Sequence, residues 1–334
     1  MKVVIPLAGL GTRLRPHTHT RPKPLVTVAG KPIVGHILDQ FKGLDVEEYI
    51  FIVGHLGEQI RDYIESQYNL PKTSYFVQKE LKGQSHAIWL ARERLGGPII
   101  IIYSDTIAEA DLSDLDSVDA DGIFFVKEVE DPRRFGVAQV EGGYVKRLIE
   151  KPTTMENKLA VIGLYYIKDS GWLLECIEEQ MKREIKLKDE YYLADAFQIM
   201  IERGARFIPR TVEVWKDCGK PETLLDTNRY LLEKNGSQFP ETEGSIIITP
   251  VHIAPTARIT RSIIGPYVSI ADNVVIEESI IRDSIINEGA RIERAVLAFS
   301  LIGSNATFQG TCQQLNVGDS SQVRMKTEEE IVSL

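Results

Sequence analysis

Six basic residues, Lys2, Arg13, Arg15, Arg21, Lys23 and Lys31, precede the first carboxylate of the chain, Asp39, although Asp and Glu number 48 of 334 residues. They alternate with Gly9, Gly11, Pro16, Pro22 and Pro24 behind a short apolar segment, residues 3–7. A solvated charge run seldom has that punctuation, so the pattern points to an anion site. Glycines at 9 and 11 carry no side chain, which lets backbone N–H groups approach a phosphate, and the turn that follows adds its own amides. With a net charge of −9, a chain that binds polyphosphate must concentrate its positive charge locally, as this one does at its N-terminus. The same net charge argues against a general nucleic-acid surface.

Gly-x-Gly alone does not identify the ligand. A dinucleotide fingerprint would place a third small residue at position 14, where this chain has Leu14, and the Gly-Lys-Ser/Thr of a phosphate-clamping P-loop is absent. Asp105 follows an apolar run at 99–103, at the kind of sheet edge where α/β folds bind ligands. A lone Asp after a strand is otherwise a cap or turn residue. Of the histidines, His17 and His19 fall in the basic loop and His86 opens a helix; none has metal-ligand spacing, so turn or packing roles are expected.

The elements that must position these residues alternate. Strands are expected at 2–7, 49–53, 75–78, 99–103 and 122–126, with helices at 32–41, 57–68 and 84–95 between them, giving a mainly parallel α/β sheet with crossover helices. Further strands at 135–140, 144–149 and 160–167 form an added substrate lobe, followed by helices at 170–181, 191–203 and 221–234. The polar Asn235-Gly236-Ser237 break suggests a first domain at 1–236.

Beyond it, aliphatic residues recur every five or six positions, from Ile253, Ile259 and Ile264 through Ile270, Ile276, Ile281, Ile286, Ile292 and Leu297 to Ile302 and Phe308. Small residues precede several of them, as in Ser262-Ile263-Ile264 and Ser279-Ile280-Ile281. This predicts a left-handed parallel β-helix of hexapeptide repeats over 245–322, with about four coils. An antiparallel sandwich would alternate at period two instead.

The whole string at 7–32, LAGLGTRLRPHTHTRPKPLVTVAGKP, resembles the signature of the sugar-1-phosphate nucleotidyltransferases, and is most similar to the long-form glucose-1-phosphate thymidylyl- and uridylyltransferases. The likeness extends over nearly the whole chain, since the longer members also carry a C-terminal hexapeptide β-helix. It implies a Rossmann-like mixed-sheet nucleotidyltransferase domain that joins a nucleoside triphosphate, dTTP or UTP, to a sugar 1-phosphate, by family default glucose 1-phosphate, and releases pyrophosphate. Leu7, Ala8, Gly9, Gly11, Thr12 and Arg13 then hold the nucleotide, with Arg13 relieving charge on the departing pyrophosphate and Lys23 on the α-phosphate. Asp105, also catalytic, and Asp217 in Val214-Trp215-Lys216-Asp217-Cys218-Gly219 match the family's Mg²⁺ carboxylates; Ser104 stands where the family usually has glycine. Gln78 and Gly83 resemble the base-recognition segment, where a glutamine amide offers the donor and acceptor that match the edge shared by uracil and thymine. Gly136, Glu150, Lys151, Val161, Gly163 and Tyr165 resemble the sugar-phosphate pocket.

Rival readings are the same chemistry with GTP or ATP and mannose or glucose 1-phosphate, a non-catalytic regulatory protein of the same fold, and an added acyl transfer by His252 at the start of the repeats. All four of Arg13, Lys23, Asp105 and Asp217 are present, which favours the enzyme. Three widely spaced cysteines, Cys176, Cys218 and Cys312, are expected to be reduced. The short first apolar segment is unlike a signal peptide and no run spans a bilayer, so a cytoplasmic location and no membrane partner are the expectation; a homo-oligomer is expected as well.

Overall fold

The computed structural model describes residues 1–242 and 244–310; the last part of the expected β-helix segment, 311–322, and Cys312 lie outside them. In chain order the strands up to the β-helix are β1 (Lys2–Pro6), β2 (Thr27–Val28), β3 (Lys31–Pro32), β4 (Glu48–Val53), β5 (Thr73–Val77), β6 (Ile99–Ile102), β7 (Thr106–Glu109), β8 (Gly122–Glu128), β9 (Gly136–Glu141), β10 (Tyr144–Glu150), β11 (Leu159–Ile167), β12 (Phe207–Thr211) and β13 (Val214–Asp217). The α-helices are α1 (Ile33–Asp39), α2 (Gly57–Gln67), α3 (Gly83–Leu90), α4 (Ser170–Lys182), α5 (Leu193–Glu202) and α6 (Pro221–Asn235). The chain divides into two compact units, one of Met1–Leu10, Pro22–Pro24 and Val34–Lys216, the other of Gly11–Arg21, Leu25–Ile33 and Asp217 onward.

The first unit is built on a nine-stranded sheet ordered β10-β9-β11-β6-β1-β4-β5, with β8 pairing to β11 and β12 to β8. Strands β6, β1, β4 and β5 are parallel. Val3, Val4, Ile5, Ile50 to Ile52 and Ile99 to Ile102 are completely buried, as expected for parallel strands covered on both faces. Beyond β6 the sheet is mixed, as the resemblance implies and contrary to the mainly parallel sheet read from the alternation of elements, because β11 meets β6, β8 and β9 antiparallel. An apolar run buried on both faces reads the same in either direction, so its polarity is not written in its composition. Ile88 of α3, Leu173 and Ile177 of α4, and Phe197 and Met200 of α5 pack with Ile50, Ile101 and Phe124 in one core.

In the second unit, β2 and β3 form an antiparallel hairpin, α6 follows Asp217, and the repeats wind into three four-stranded parallel sheets. Ile253, Ile270, Ile286 and Ile302 stack along one sheet, Ile259, Ile276, Ile292 and Phe308 along another, and Ile264, Ile281 and Leu297 along the third. All face one apolar interior. Three full hexapeptides would take about 18 residues per coil. Here the step is 17 from Ile246 to Ile263 and from Ile263 to Ile280, then 16 from Ile280 to Val296, so some sides are one residue short. The small residues before the aliphatic ones are explained by the coil-to-coil bonds: the Ser262 hydroxyl accepts the Ser279 N–H at 3.0 Å, and the Ser279 hydroxyl accepts the Ala295 N–H at 3.1 Å.

The hairpin and α6 are stitched to the coils by one side chain. Asn228 on α6 is completely buried; its Oδ1 accepts the Ala29 N–H at 2.9 Å and the Ser269 hydroxyl at 2.6 Å, while its Nδ2 donates to the Tyr267 carbonyl at 3.1 Å. No helix among the described residues is long and apolar enough to cross a membrane.

Candidate active site

The four parallel strands β6, β1, β4 and β5 are consecutive in the sheet, so their C-terminal ends lie side by side. Leu7 follows β1, Gly54 follows β4, Gln78 follows β5, and Asp105 lies in the turn after β6. This is the edge at which open α/β sheets bind ligands. The Leu7 N–H donates to the Ile52 carbonyl at 2.7 Å and the Gln78 N–H to the Val53 carbonyl at 2.8 Å, which extends the ladder by one residue at each end. Gly54 is a member of the site that the sequence reading missed. A Cβ there would stand 2.6 Å from the Ala8 carbonyl oxygen, so the loop after β1 rests directly on the end of β4. Its only signal was a glycine closing the run at 49–53. A Cβ on Gly9, by contrast, would meet nothing within 4 Å, so protein packing does not demand glycine there.

Lys23 sits in a short 3₁₀ turn, Lys23–Leu25, and is almost wholly buried. A buried ammonium needs an anionic partner. It has one in Asp105, whose Oδ2 accepts from Nζ at 2.6 Å. The Asp105 turn is anchored in turn to β11: the Thr106 hydroxyl donates to the Ile162 carbonyl at 2.6 Å and the Tyr103 N–H to the Gly163 carbonyl at 2.9 Å. Gly163 has φ +80° where the register of β11 against β8 shifts, and a Cβ on it would lie 2.6 Å from the Tyr103 ring. The bulge at Gly163 therefore brings Val161, Gly163 and the Asp105 turn together.

Gln78 is buried at 5% exposure, and its side-chain Nε2 lies 3.0 Å from both the Gly83 carbonyl and His86 Nδ1. Burial, helped by nearby Lys82, lowers the His86 pKa and keeps the ring neutral near pH 7. Gly136 and Glu150 are cross-strand partners on β9 and β10, and a Cβ on Gly136 would stand 3.0 Å from Glu150 Oε2. Lys151, exposed and at φ +46°, places its Nζ 3.4 Å from Glu150 Oε1. Tyr165 lies deepest of the sugar-pocket residues: its ring meets Phe124, Phe197 and Tyr103 at 5.5, 4.9 and 5.8 Å, and burial pushes its hydroxyl far above the usual phenol range.

Gly11, Thr12, Arg13 and Asp217 belong to the second unit. Gly11, at φ +61°, caps the 3₁₀ turn Thr12–Leu14, and its carbonyl accepts the Thr18 hydroxyl at 2.8 Å. Leu14 is buried by this turn and Arg13 is left exposed. Asp217 precedes α6 and accepts the Gly219 N–H at 2.9 Å. His252 packs its ring against Gly30 so closely that a Cβ there would stand 2.3 Å from its Nε2. Burial lowers its pKa, and its packing on Gly30 makes it a support of the hairpin. Among the described residues, no group of three His, Cys, Asp or Glu is placed to hold a metal.

Residues 2–234 match the nucleotidyl transferase family. The chain is 34% identical to the low-salt glycan biosynthesis nucleotidyltransferase Agl11 of Haloferax volcanii, over 97% of this chain and 100% of that one. It is 28% identical to a glucose-1-phosphate thymidylyltransferase of Streptomyces griseus, over 98% and 100%. The fold matches an apo UDP-glucose pyrophosphorylase crystal structure with a TM-score of 0.60 at 25% identity, over 70% of this chain and 99% of that one. The chain therefore belongs to the nucleotidyl transferase family, among its sugar-1-phosphate nucleotidyltransferases.

Proposed function

We propose that the enzyme joins dTTP or UTP to glucose 1-phosphate. The observation that carries this reading is the Lys23–Asp105 pair at the strand edge where the loop after β1, with Gly9 open to a ligand, also begins. A sugar 1-phosphate oxygen attacks the α-phosphorus, the bond from that phosphorus to the bridging oxygen breaks, and pyrophosphate leaves with the electron pair. The nucleophile is already an anion, so alignment and charge relief supply most of the rate. Lys23 neutralises the α-phosphate, Arg13 the departing pyrophosphate, and Lys151 the sugar phosphate, while Glu150 accepts from sugar hydroxyls. Gln78 and Gly83 hold the base.

Asp105 Oδ1 accepts no hydrogen bond among the described residues, and Asp217 is a second hard carboxylate. That donor set fits Mg²⁺, which takes one or two carboxylates and completes its shell with substrate phosphates and water. When bound, the ion supplies charge neutralisation at the reacting phosphates. The reading carries with it a catalytic domain at 1–236, a β-helix from 245 that serves assembly into a homo-oligomer, and a cytoplasmic location.

Pyrophosphate release measured over four nucleoside triphosphates and a panel of sugar 1-phosphates tests it. Fastest release is expected with dTTP or UTP and glucose 1-phosphate. Faster release with ATP or GTP would overturn the base assignment, and preference for another sugar would overturn the sugar assignment.

A further inference from the structure

We propose that His86 sets the base preference of this enzyme by fixing which end of the Gln78 amide is presented. The inference rests on the reading that Gln78 faces the base. The orientation follows from the chemistry of its neighbours. The Gly83 carbonyl, 3.0 Å away, can only accept, so the amide atom facing it is the donor Nε2. The same nitrogen lies 3.0 Å from His86 Nδ1, which must therefore accept the second hydrogen. Both amide hydrogens are engaged, so of the donor and acceptor expected from the sequence only the acceptor Oε1, which receives no hydrogen bond from the described residues, remains for a ligand.

Both partners are held in place. Gly83 has φ +88° and approaches the Tyr191 backbone so closely that a Cβ would stand 2.5 Å from its carbonyl oxygen. The Tyr191 N–H donates to the Lys82 carbonyl at 2.8 Å, and the Tyr191 carbonyl accepts from the Ser85 N–H at 3.1 Å. The His86 ring stacks at 21° on Trp89, whose own ring lies under the Arg92 guanidinium at 3.9 Å. A fixed acceptor at Oε1 pairs with a ring N–H, as on uracil or thymine, and faces a lone pair on cytosine. His86 does not touch the base; it is a positioning residue.

Protonation of His86 would turn Nδ1 into a donor and oppose Nε2, while the Gly83 carbonyl forbids the flipped amide. Lys82 and Glu80 flank the ring from its own segment, and Glu184, Lys186, Asp189 and Tyr191 line the same cavity of about 650 Å³ from the facing segment. With the neutral ring favoured by burial, the acceptor persists down to acid pH and is lost below the ordinary histidine value.

The test is the ratio of kcat/KM for UTP to that for CTP, with glucose 1-phosphate and Mg²⁺, on the full chain. His86→Leu is expected to lower the ratio about tenfold, the worth of one hydrogen bond. His86→Asn, whose Oδ1 can take the place of Nδ1, is expected to retain it. The wild-type ratio is expected to fall as pH drops below the ordinary histidine value, and that of His86→Asn to stay flat over the same range. An unchanged ratio in His86→Leu, or the same pH trend in both proteins, would overturn the proposal; if His86→Leu does not fold, the pH series decides alone. Gln78→Ala separates the two ideas: a ratio unmoved by that change overturns the underlying base reading, whereas a collapsed ratio with an inert His86→Leu overturns only the role of His86.

Discussion

Lys23 Nζ and Asp105 Oδ2 lie 2.6 Å apart and join two segments 82 residues apart in sequence. The pair ties the turn after the basic loop to the end of β6, where the chemistry is assigned. Asp105→Asn is expected to lower kcat/KM on the order of 10²- to 10³-fold, the usual loss when one preorganised charge is removed from a transition state. It also leaves a buried ammonium without its anion, at a cost of about 1–3 kcal/mol. Pyrophosphate release and urea unfolding on the same variant read the two effects separately, and a wild-type rate in Asp105→Asn would remove Asp105 from the mechanism.

Gly9 gives a cleaner separation of ligand from fold. A Cβ at this position meets no protein atom, and its φ lies outside the left-handed region, so Gly9→Ala is expected to leave the melting temperature unchanged or slightly raised. The KM for the triphosphate should rise about tenfold or more if backbone amides approach phosphate there. An unaltered KM would mean the glycine faces only solvent.

Chelation should abolish turnover, and added Mg²⁺ should restore it. Asp217→Asn is expected to raise the Mg²⁺ concentration needed for half-maximal rate by about tenfold, the loss expected when one ligand or its orienting partner is removed. A rate indifferent to chelator would refute the assignment of both carboxylates.

Asn228 makes three hydrogen bonds to two segments, the hairpin and the coil at 267–269, and replacing it with Leu leaves the Ala29 N–H, the Ser269 hydroxyl and the Tyr267 carbonyl without their partner. Each buried orphan costs about 1–3 kcal/mol, so Asn228→Leu is expected to be among the most destabilising single changes. Asn228→Asp keeps the two acceptor bonds and should be milder. Equal unfolding midpoints for the two variants would count against this account.

Glu48, fully buried on β4, titrates against its own burial. Desolvation raises its pKa, but the Ser74 hydroxyl at 2.6 Å and the Arg94 guanidinium at 2.8 Å outweigh it, and the net shift is downward. A depressed carboxylate pKa stabilises the fold above the unfolded value of about 4.5, and that contribution is lost as pH falls through the folded value. Wild-type stability should therefore drop below about pH 4.5 more steeply than that of Glu48→Gln, as followed by unfolding at stepped pH.

The interior of the β-helix was legible residue by residue, since a spacing of five or six belongs to no helix or flat strand, and each aliphatic position from Ile253 to Phe308 lies in its stack. The basic loop and Asp105 were legible because local composition and a strand end mark them. The direction of β11 was not, for its apolar residues carry no polarity, and neither was Gly163 as a bulge, which depends on the Tyr103 ring from another strand. His86 was read as a turn or packing residue: it meets Gln78 eight positions away through a turn at Gly83, and such a turn leaves no periodic trace. The Asn228 contact spans 199 residues, beyond any local signal.

That last contact also has a consequence in time. The hairpin at Ala29 leaves the ribosome early, but its partner Asn228 and the coil at Ser269 are made roughly 200 residues later, about 10–50 s at ordinary elongation rates. Through that interval the hairpin lacks the bond from Ala29 to Asn228. Translation order alone thus delays the Asn228 anchor of this hairpin until the coils have been made.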